Sequence, residues 1–484
     1  MVEIDGRRLE LAEIVAIAVG GEKVVLAPSA IERMAASQRS ARATAQARPV
    51  YGRSTGVGAN RSVTLDTSDA SADQHGLNLL RSHAVDAGGA LDRETVRAML
   101  VVRASQLAAG ASGINPALAE AVVQMLNADT LPEVREFGGI GTADLPALAG
   151  TALTLLGERP TMDGTRVPTA LDSWATEDAL PFISSSALTI GQSILAHQKL
   201  ATMMENLTTI SALSFTAMSG NPEAFGPEVA KATESDAMAD VAGTLQELVA
   251  GSGKPARIQD PYCLRMLPHS LGAVMEELES LRVTLERLAV AGHENPMVFG
   301  SVEDGTNGVA HHGLFHMSTL ARRIDALQVA VGAACTTTLG RITRLCDPSF
   351  TGLYRFLAGN DAGQSGVMML EYVAAAAVGR IRANAQPVSL QTVNLSLGAE
   401  EDASFATLGA AQLESTAHAL ATVAGVELVC ASRALRAQGR RPGEFSSPRL
   451  RAMMEAGFTL PSDVQDRDLR DDLEQAQRLV QDSY

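Results

Sequence analysis

In the stretch LGAVMEELESLRVTLERLAVAG, the apolar residues Leu271, Val274, Leu278, Leu281, Leu285 and Leu288 return every three or four positions. That spacing draws one apolar stripe along a long helix. Leu320, Ile324, Leu327 and Val331 repeat it in the next segment, which runs to about Leu345 before the CDPSF sequence stops it. Two consecutive helices of this length cannot bury their faces alone, so they imply a bundle, extended across subunits. Further helical patterns fall near residues 185–217, 225–250, 363–384 and 402–430, while the alternation expected of strands is scarce. Pro, Gly, Asp and Thr interrupt the pattern over 157–182, which predicts a loop dividing a glycine-richer, mainly helical head (1–160) from the bundle (161–484). The expected class is all-α, a long central helical bundle with a smaller N-terminal head. The tail from about Arg433 reads as short polar helices, exposed or packed on a neighbouring molecule.

Composition narrows this picture. Aromatic residues make up only 4% of the 484 residues, and Ala, Leu, Met and Val abound, which favours helices. Lys and Arg number 39 against 55 Asp and Glu, a net charge of −16 that argues against a nucleic-acid partner. The one basic run, RALRAQGRRPG, has no interleaved aromatics and is followed by acidic segments. The first residues carry acids where a secretory signal would carry bases, and polar residues interrupt every long apolar run, so a soluble cytoplasmic protein without membrane contact is expected. Cys263, Cys335, Cys346 and Cys430 lack metal-type spacing and read as reduced core thiols.

Four clusters join polar residues to glycine or proline: VYGRSTGVGANRS, GLNLLRSHAVDAGG, RIQDPYCLRMLPH and LGAEEDASFATLG. They carry Tyr51, His83, Tyr262 with Arg265, and Glu401. Taken singly, each has a plain alternative: a core tyrosine, a satisfied histidine, an ion-pair partner, or an acid complementing a helix N-terminus. His312 and His316, four apart in HHGLFH, could share a helix face as a metal pair. No carboxylate or cysteine completes the set, so no metal site is assigned. A fifth stretch, FGGIGTADLPALAG, packs Gly138, Gly139 and Gly141 into four positions, as a loop with positive φ angles or very close contacts would require, yet holds no Ser, Cys, His or Lys.

The order of these clusters resembles that of the aromatic amino acid ammonia-lyases, the family of histidine and phenylalanine ammonia-lyases and their aminomutase relatives. VYGRSTGVG is similar to the family's VYGxNTGFG, NLLRSHA to NLxxSHA and RASQLAAGASGI to RxNxLAxGxSG. QDPYCLRMLPHSLGA is similar to QDPYSLRxxPQxxGA, ENPMVF to DNPLVF and EEDASFA to QEDHVSM. The glycine-dense loop aligns with GSVGASGDLAPLA, in which an internal Ala-Ser-Gly cyclises to the electrophile methylideneimidazolone. Here Gly141-Thr142-Ala143 takes the triad's place, with no serine. The resemblance therefore carries an expectation of no such prosthetic group and no other cofactor. Ser105, Ile190 and GVAHHG also depart from the family pattern, at positions that support the electrophile.

What the resemblance implies for the site is an acid-base set without its electrophile. Tyr51 becomes the base or acid, Arg265 the carboxylate clamp, Tyr262 a hydrogen-bond donor and Glu401 a binder or proton acceptor, with Asn78, His83 and His312 on the substrate. A guanidinium fork suits a carboxylate. A tyrosine acting near neutrality calls for a lowered pKa, for which nearby positive charge is one source. The Ser82-His83 pair resembles that of members directed to polar substrates. The expected function is elimination or addition, isomerisation or cyclisation on a small carboxylate-bearing or conjugated substrate. An ammonia-lyase or aminomutase using a group derived from Thr142, and a non-catalytic binding subunit, stay open beside it. The family's tetramer, whose sites draw loops from several subunits, implies a homotetramer.

Overall fold

A computed structural model describes the chain except for residue 8, residues 66–70, 167–170, 172–173, 234, 362 and 483–484, and the side chains of 71–73. The architecture is all-α as expected, with short ribbons added. Among the described residues the strands form three two-stranded pairs: Val2–Ile4 with Val24–Leu26 in parallel, and two antiparallel pairs, Ala87–Ala90 with Arg135–Phe137 and Met297–Phe299 with Gly308–Ala310.

The chain divides into two compact units, each assembled from three segments. The first takes residues 1–196, 282–324 and 387–411, the second 197–281, 325–386 and 412–484. A single cut at residue 160 does not separate them, because the long helices carry the chain back to the first unit twice. The loop expected over 157–182 is shorter than that: a helix already runs over Thr176–Ile183, and residues 167–170 and 172–173 of the expected loop lie outside the described residues.

Within the first unit the central element is the helix Arg93–Ala108. Asp92 caps it, its carboxylate accepting from the Thr95 N–H at 2.7 Å, and from Thr95 onward every residue is buried. A helix without a solvent face belongs at the centre of a core. The first turns of the helix Ala187–Ala217 meet it through Gly191, where an added Cβ would stand 2.9 Å from backbone atoms of Ala98 and Met99. Arg97 and Arg103 are the charged residues of this buried stretch, and Arg103 is the more deeply covered. Its guanidinium donates to Glu294 at 2.7 Å and to the Phe182 carbonyl at 3.0 Å, so a fully buried charge has both a counter-ion and backbone acceptors.

The stripe read from sequence is the buried face of the helix Leu267–Leu288, whose residues up to Leu281 belong to the second unit, with Leu271, Val274 and Leu281 fully covered. The helix Ser318–Leu345 ends at the residue expected, and Val331 is equally covered. Here too a buried arginine is paired, this one bidentately: Arg341 holds Glu427 at 2.6 and 2.9 Å, and Ser214 donates to the same carboxylate at 2.7 Å. All four cysteines are free, buried and in this unit. Burial pushes the Cys335 thiol up to about 12 and raises that of Cys263, and Cys430, hydrogen-bonded to Cys346, stands well above its usual range.

The predicted helix over 225–250 is two helices, Pro227–Lys231 and Asp236–Leu248, the second capped by Ser235. The tail packs on its own unit: in the helix Arg470–Leu479, Ala476 is buried, and the Asn206 amide donates to the Val480 carbonyl at 3.1 Å. Two helical stretches are long and apolar enough to cross a membrane, but their apolar windows are 100% and 83% buried within the chain, as core helices are.

Candidate active site

The glycine-dense loop ends at the helix Leu145–Leu155, and its backbone departs from what L-residues prefer at two points. Gly141 has φ +83° and Ala143, a residue with a Cβ, has φ +88°. The Gly141 carbonyl accepts from Ser404 Oγ at 2.7 Å and from the Met317 N–H at 3.2 Å. There is no room beside it, since a Cβ on Gly141 would lie 2.2 Å from Ser404 Oγ and under 3 Å from two backbone nitrogens. Just past the loop, Asp144 is buried and accepts from the Thr189 N–H and the Thr189 hydroxyl, both at 2.9 Å. The Thr189 and Thr407 hydroxyls in turn lie 2.8 Å apart. Burial pushes the Asp144 carboxyl up to about 6, against the pull of these donors.

Tyr51 stands in the neighbouring loop, half-buried. Its phenol oxygen accepts from the Gly58 N–H at 2.8 Å, and its own N–H donates to Nε2 of His311 at 3.2 Å. The lowered pKa expected of Tyr51 is not supplied by this chain: burial raises it, Glu400 adds to the rise, and the Gly58 N–H and Arg61 only oppose it. Glu400, rather than Glu401, is the acid beside this loop, 3.7 Å from where a Gly58 Cβ would sit, while Ser396 Oγ accepts from the Ala59 N–H at 3.0 Å. Glu401 is exposed.

The segment from His311 to Met317 ties these pieces together, since His311 holds Tyr51 at one end and Met317 holds Gly141 at the other. Between them His316 lies 3.3 Å from Asp402. The segment is not helical, so His312 and His316 share no helix face, and no group of three or more metal-ligating side chains occurs among the described residues. His312 is a correction to the expected substrate-binding set. Its Nε2 donates to the Glu294 carbonyl at 2.8 Å and its Nδ1 accepts from the Leu314 N–H at 3.0 Å, which leaves no ring nitrogen for a substrate.

His83 closes the helix Ser71–His83, which packs against the helix following the glycine loop. Its Nδ1 bonds the Leu79 carbonyl at 2.8 Å, which leaves Nε2 as the nitrogen available to a ligand. Asn78, exposed on the same helix, accepts from Gln74 at 2.9 Å. Tyr262 and Arg265 belong to the second unit, on one short helical turn. The guanidinium sits 4.6 Å from the centre of the Tyr262 ring and donates to the Gln259 amide oxygen at 3.0 Å, and Tyr262 is 67% exposed. Asp260 of the same motif is structural, holding Arg257 at 2.8 Å and the Asn221 N–H.

The model of the aromatic amino acid lyases matches residues 9–457. The chain belongs to that family. Histidine ammonia-lyase of Geobacillus thermodenitrificans is 32% identical to it over 98% of this chain and 96% of the relative, and that of Deinococcus radiodurans 30% identical over 96% and 91%. Among solved structures, phenylalanine aminomutase of Pantoea agglomerans superposes with a TM-score of 0.91 at 23% identity, covering 99% of both chains. Ergothionase of Treponema denticola, an ergothioneine-degrading enzyme, gives 0.89 at 22%, covering 99% of this chain and 98% of that one. This lyase therefore shares their all-α fold, and its family and relatives make it a lyase-like enzyme. Sequence motifs led to Tyr51, the loop and the arginine. The pairing of Ser404 and Met317 with Gly141, the Thr189–Thr407 support of Asp144, and the positions of Glu400 and His311 carry no local signal, because each depends on chain segments far apart in sequence.

Proposed function

We propose that this lyase works without methylideneimidazolone, using acid-base residues for elimination or addition, isomerisation or cyclisation on a small carboxylate-bearing or conjugated substrate. The observation that carries this reading is the seat of Gly141-Thr142-Ala143. The prosthetic group does not fit it: there is no serine to dehydrate, Ala143 places a Cβ on the residue whose nitrogen would close the ring, and the space beside Gly141 would not admit the alanine of Ala-Ser-Gly. Without that electrophile, expelling ammonia from an unactivated amino acid is hard, whereas a substrate with an already acidified proton needs only a positioned base and acid. Tyr51 moves the proton, the Gly58 N–H steadying its oxygen. Arg265 holds the carboxylate through its planar fork, and its stacking on Tyr262 fixes the plane of that fork. His83 offers Nε2 to a polar substrate group, in keeping with relatives named histidine ammonia-lyases.

One observation favours a second reading, an ammonia-lyase or aminomutase with a group derived from Thr142. Ala143 keeps a left-handed backbone of the kind glycine adopts, and the Gly141 carbonyl is polarised by two donors. Intact mass separates the two. Full-length mass, with no near-ultraviolet band from a prosthetic group, is expected. A mass short by two waters, about 36 Da, would replace the first reading with the second.

The assembly that fits this reading is a homotetramer. Ile258 and Tyr262 in the second unit and Leu397 in the first are 93%, 67% and 98% exposed in the single chain, surface suited to cover by other copies. Light scattering should give four chains, and a stable monomer at micromolar concentration would remove this part of the proposal.

A further inference from the structure

His311 and His312 are adjacent in sequence and differ in what they have left to give. His312 spends both ring nitrogens on backbone groups; His311 spends one. The His311 ring stands edge-on to the Tyr51 ring, with centroids 6.5 Å apart and planes at 86°, and its Nε2 accepts the Tyr51 N–H. A neutral imidazole that accepts at Nε2 carries its proton on Nδ1. That Nδ1–H has no partner among the described residues, and the side chain is exposed. Protonating Nε2 would set two donors against each other across 3.2 Å, so the bond to Tyr51 holds the ring neutral. The groups that face it act in the same direction. Burial disfavours a positive charge on the ring most, Arg48, anchored on the Val309 carbonyl at 2.6 Å, and His312 add to that, and the Tyr51 ring brings no charge of its own.

We infer that His311 is a neutral hydrogen-bond donor to the substrate, its Nδ1–H meeting the negative charge of a conjugated carboxylate, or of the oxygen on which charge develops, beside Tyr51. The inference rests on the reading of Tyr51 as the residue that moves the proton. A neutral imidazole suits the task because it stabilises charge without surrendering a proton as readily as an imidazolium would.

The test uses full-length protein with nitrogen-15 in its histidines and trans-urocanate, a small conjugated carboxylate, as the probe. The His311 signals are assigned by their loss in His311→Gln. At pH 7 the ring should be neutral with its proton on Nδ1, and the Nδ1 signal should move when trans-urocanate is added. His311→Phe keeps the edge-on ring and should lose about tenfold or more in trans-urocanate affinity, as for a hydrogen bond to a charged group. His311→Gln, whose amide can accept from Tyr51 and donate outward, should stay within about threefold of wild type. An imidazolium at pH 7, a proton on Nε2, no response to millimolar trans-urocanate, or equal affinity in His311→Phe would each overturn the inference. Should Tyr51→Phe keep full turnover while His311→Phe loses affinity, the Tyr51 reading fails and the donor role of His311 stands.

Discussion

Two loops of the first unit lie within reach of one segment, yet they are built on opposite plans. From Gly139 to Asp144 the backbone is wedged and its polar groups are engaged: the Gly141 carbonyl has two donors, and the Asp144 carboxylate is held by Thr189, itself backed by Thr407. The Tyr51 loop is also tied through its backbone, but its reactive groups are lightly engaged: the phenol is held by one backbone N–H, His311 keeps a donor without a partner among the described residues, and Glu400 is exposed. The difference teaches that the seat of a reactive loop and the chemistry performed there are separable. The first loop keeps a rigid support around Gly141-Thr142-Ala143, a triad without serine. The second keeps groups that retain hydrogen-bonding capacity among the described residues.

Tyr51→Phe should sharpen this contrast most. It removes a hydroxyl with almost no change in volume, so turnover of an identified substrate should fall by roughly 10² to 10⁴ while the melting temperature stays put. Wild-type turnover in that variant would make Tyr51 a core tyrosine and break the comparison on that side. Gly141→Ala attacks the other loop. Forcing a Cβ against Ser404 and the 405–406 backbone at φ +83° should cost about 1–3 kcal/mol for overpacking and about 1–2 kcal/mol for the left-handed conformation, read as a lower urea midpoint. An unchanged midpoint would show that the wedge yields freely.

Asp144→Asn comes next, through pH. The folded carboxyl, at about 6, binds its proton more tightly than the unfolded one near 3.8. Its contribution is therefore fully present below the unfolded value and is lost as pH rises through 6, a swing on the order of 3 kcal/mol. In the variant this loss between about pH 4 and 6 should disappear from the stability profile, and a profile that still falls in step with wild type would show that Asp144 is already ionised when folded. Smallest is Ala143→Gly. Relieving a Cβ at φ +88° should outweigh the added freedom of the unfolded chain and raise stability by about 0.5–1 kcal/mol. A loss instead would show that the Ala143 methyl group packs usefully.

Much of this was legible in sequence where one segment carries the whole signal. The stripes from Leu271 and from Leu320 are buried faces because three- and four-residue spacing is itself the geometry of a helix face. The Tyr51 loop, the Tyr262–Arg265 turn and the altered triad were readable because their motifs are contiguous. Contacts between distant segments left no such trace. Glu400 and Glu401 are indistinguishable by type, and only the pairing of Leu395 with Glu400 decides which one faces the Tyr51 loop. His312 looked available until two backbone groups claimed its ring. The helix at Thr176–Ile183 was hidden by Pro181 and polar neighbours, which its buried setting overrides.

The placement of the cysteines has a practical consequence. All four thiols sit in the second unit, covered from solvent, and the first unit has none. A thiol-specific reagent is thus a clock for one half of the molecule. Its labelling rate in native buffer times the opening of the second unit and leaves the Tyr51 and glycine-loop chemistry untouched, while each added label counts how far that opening has run.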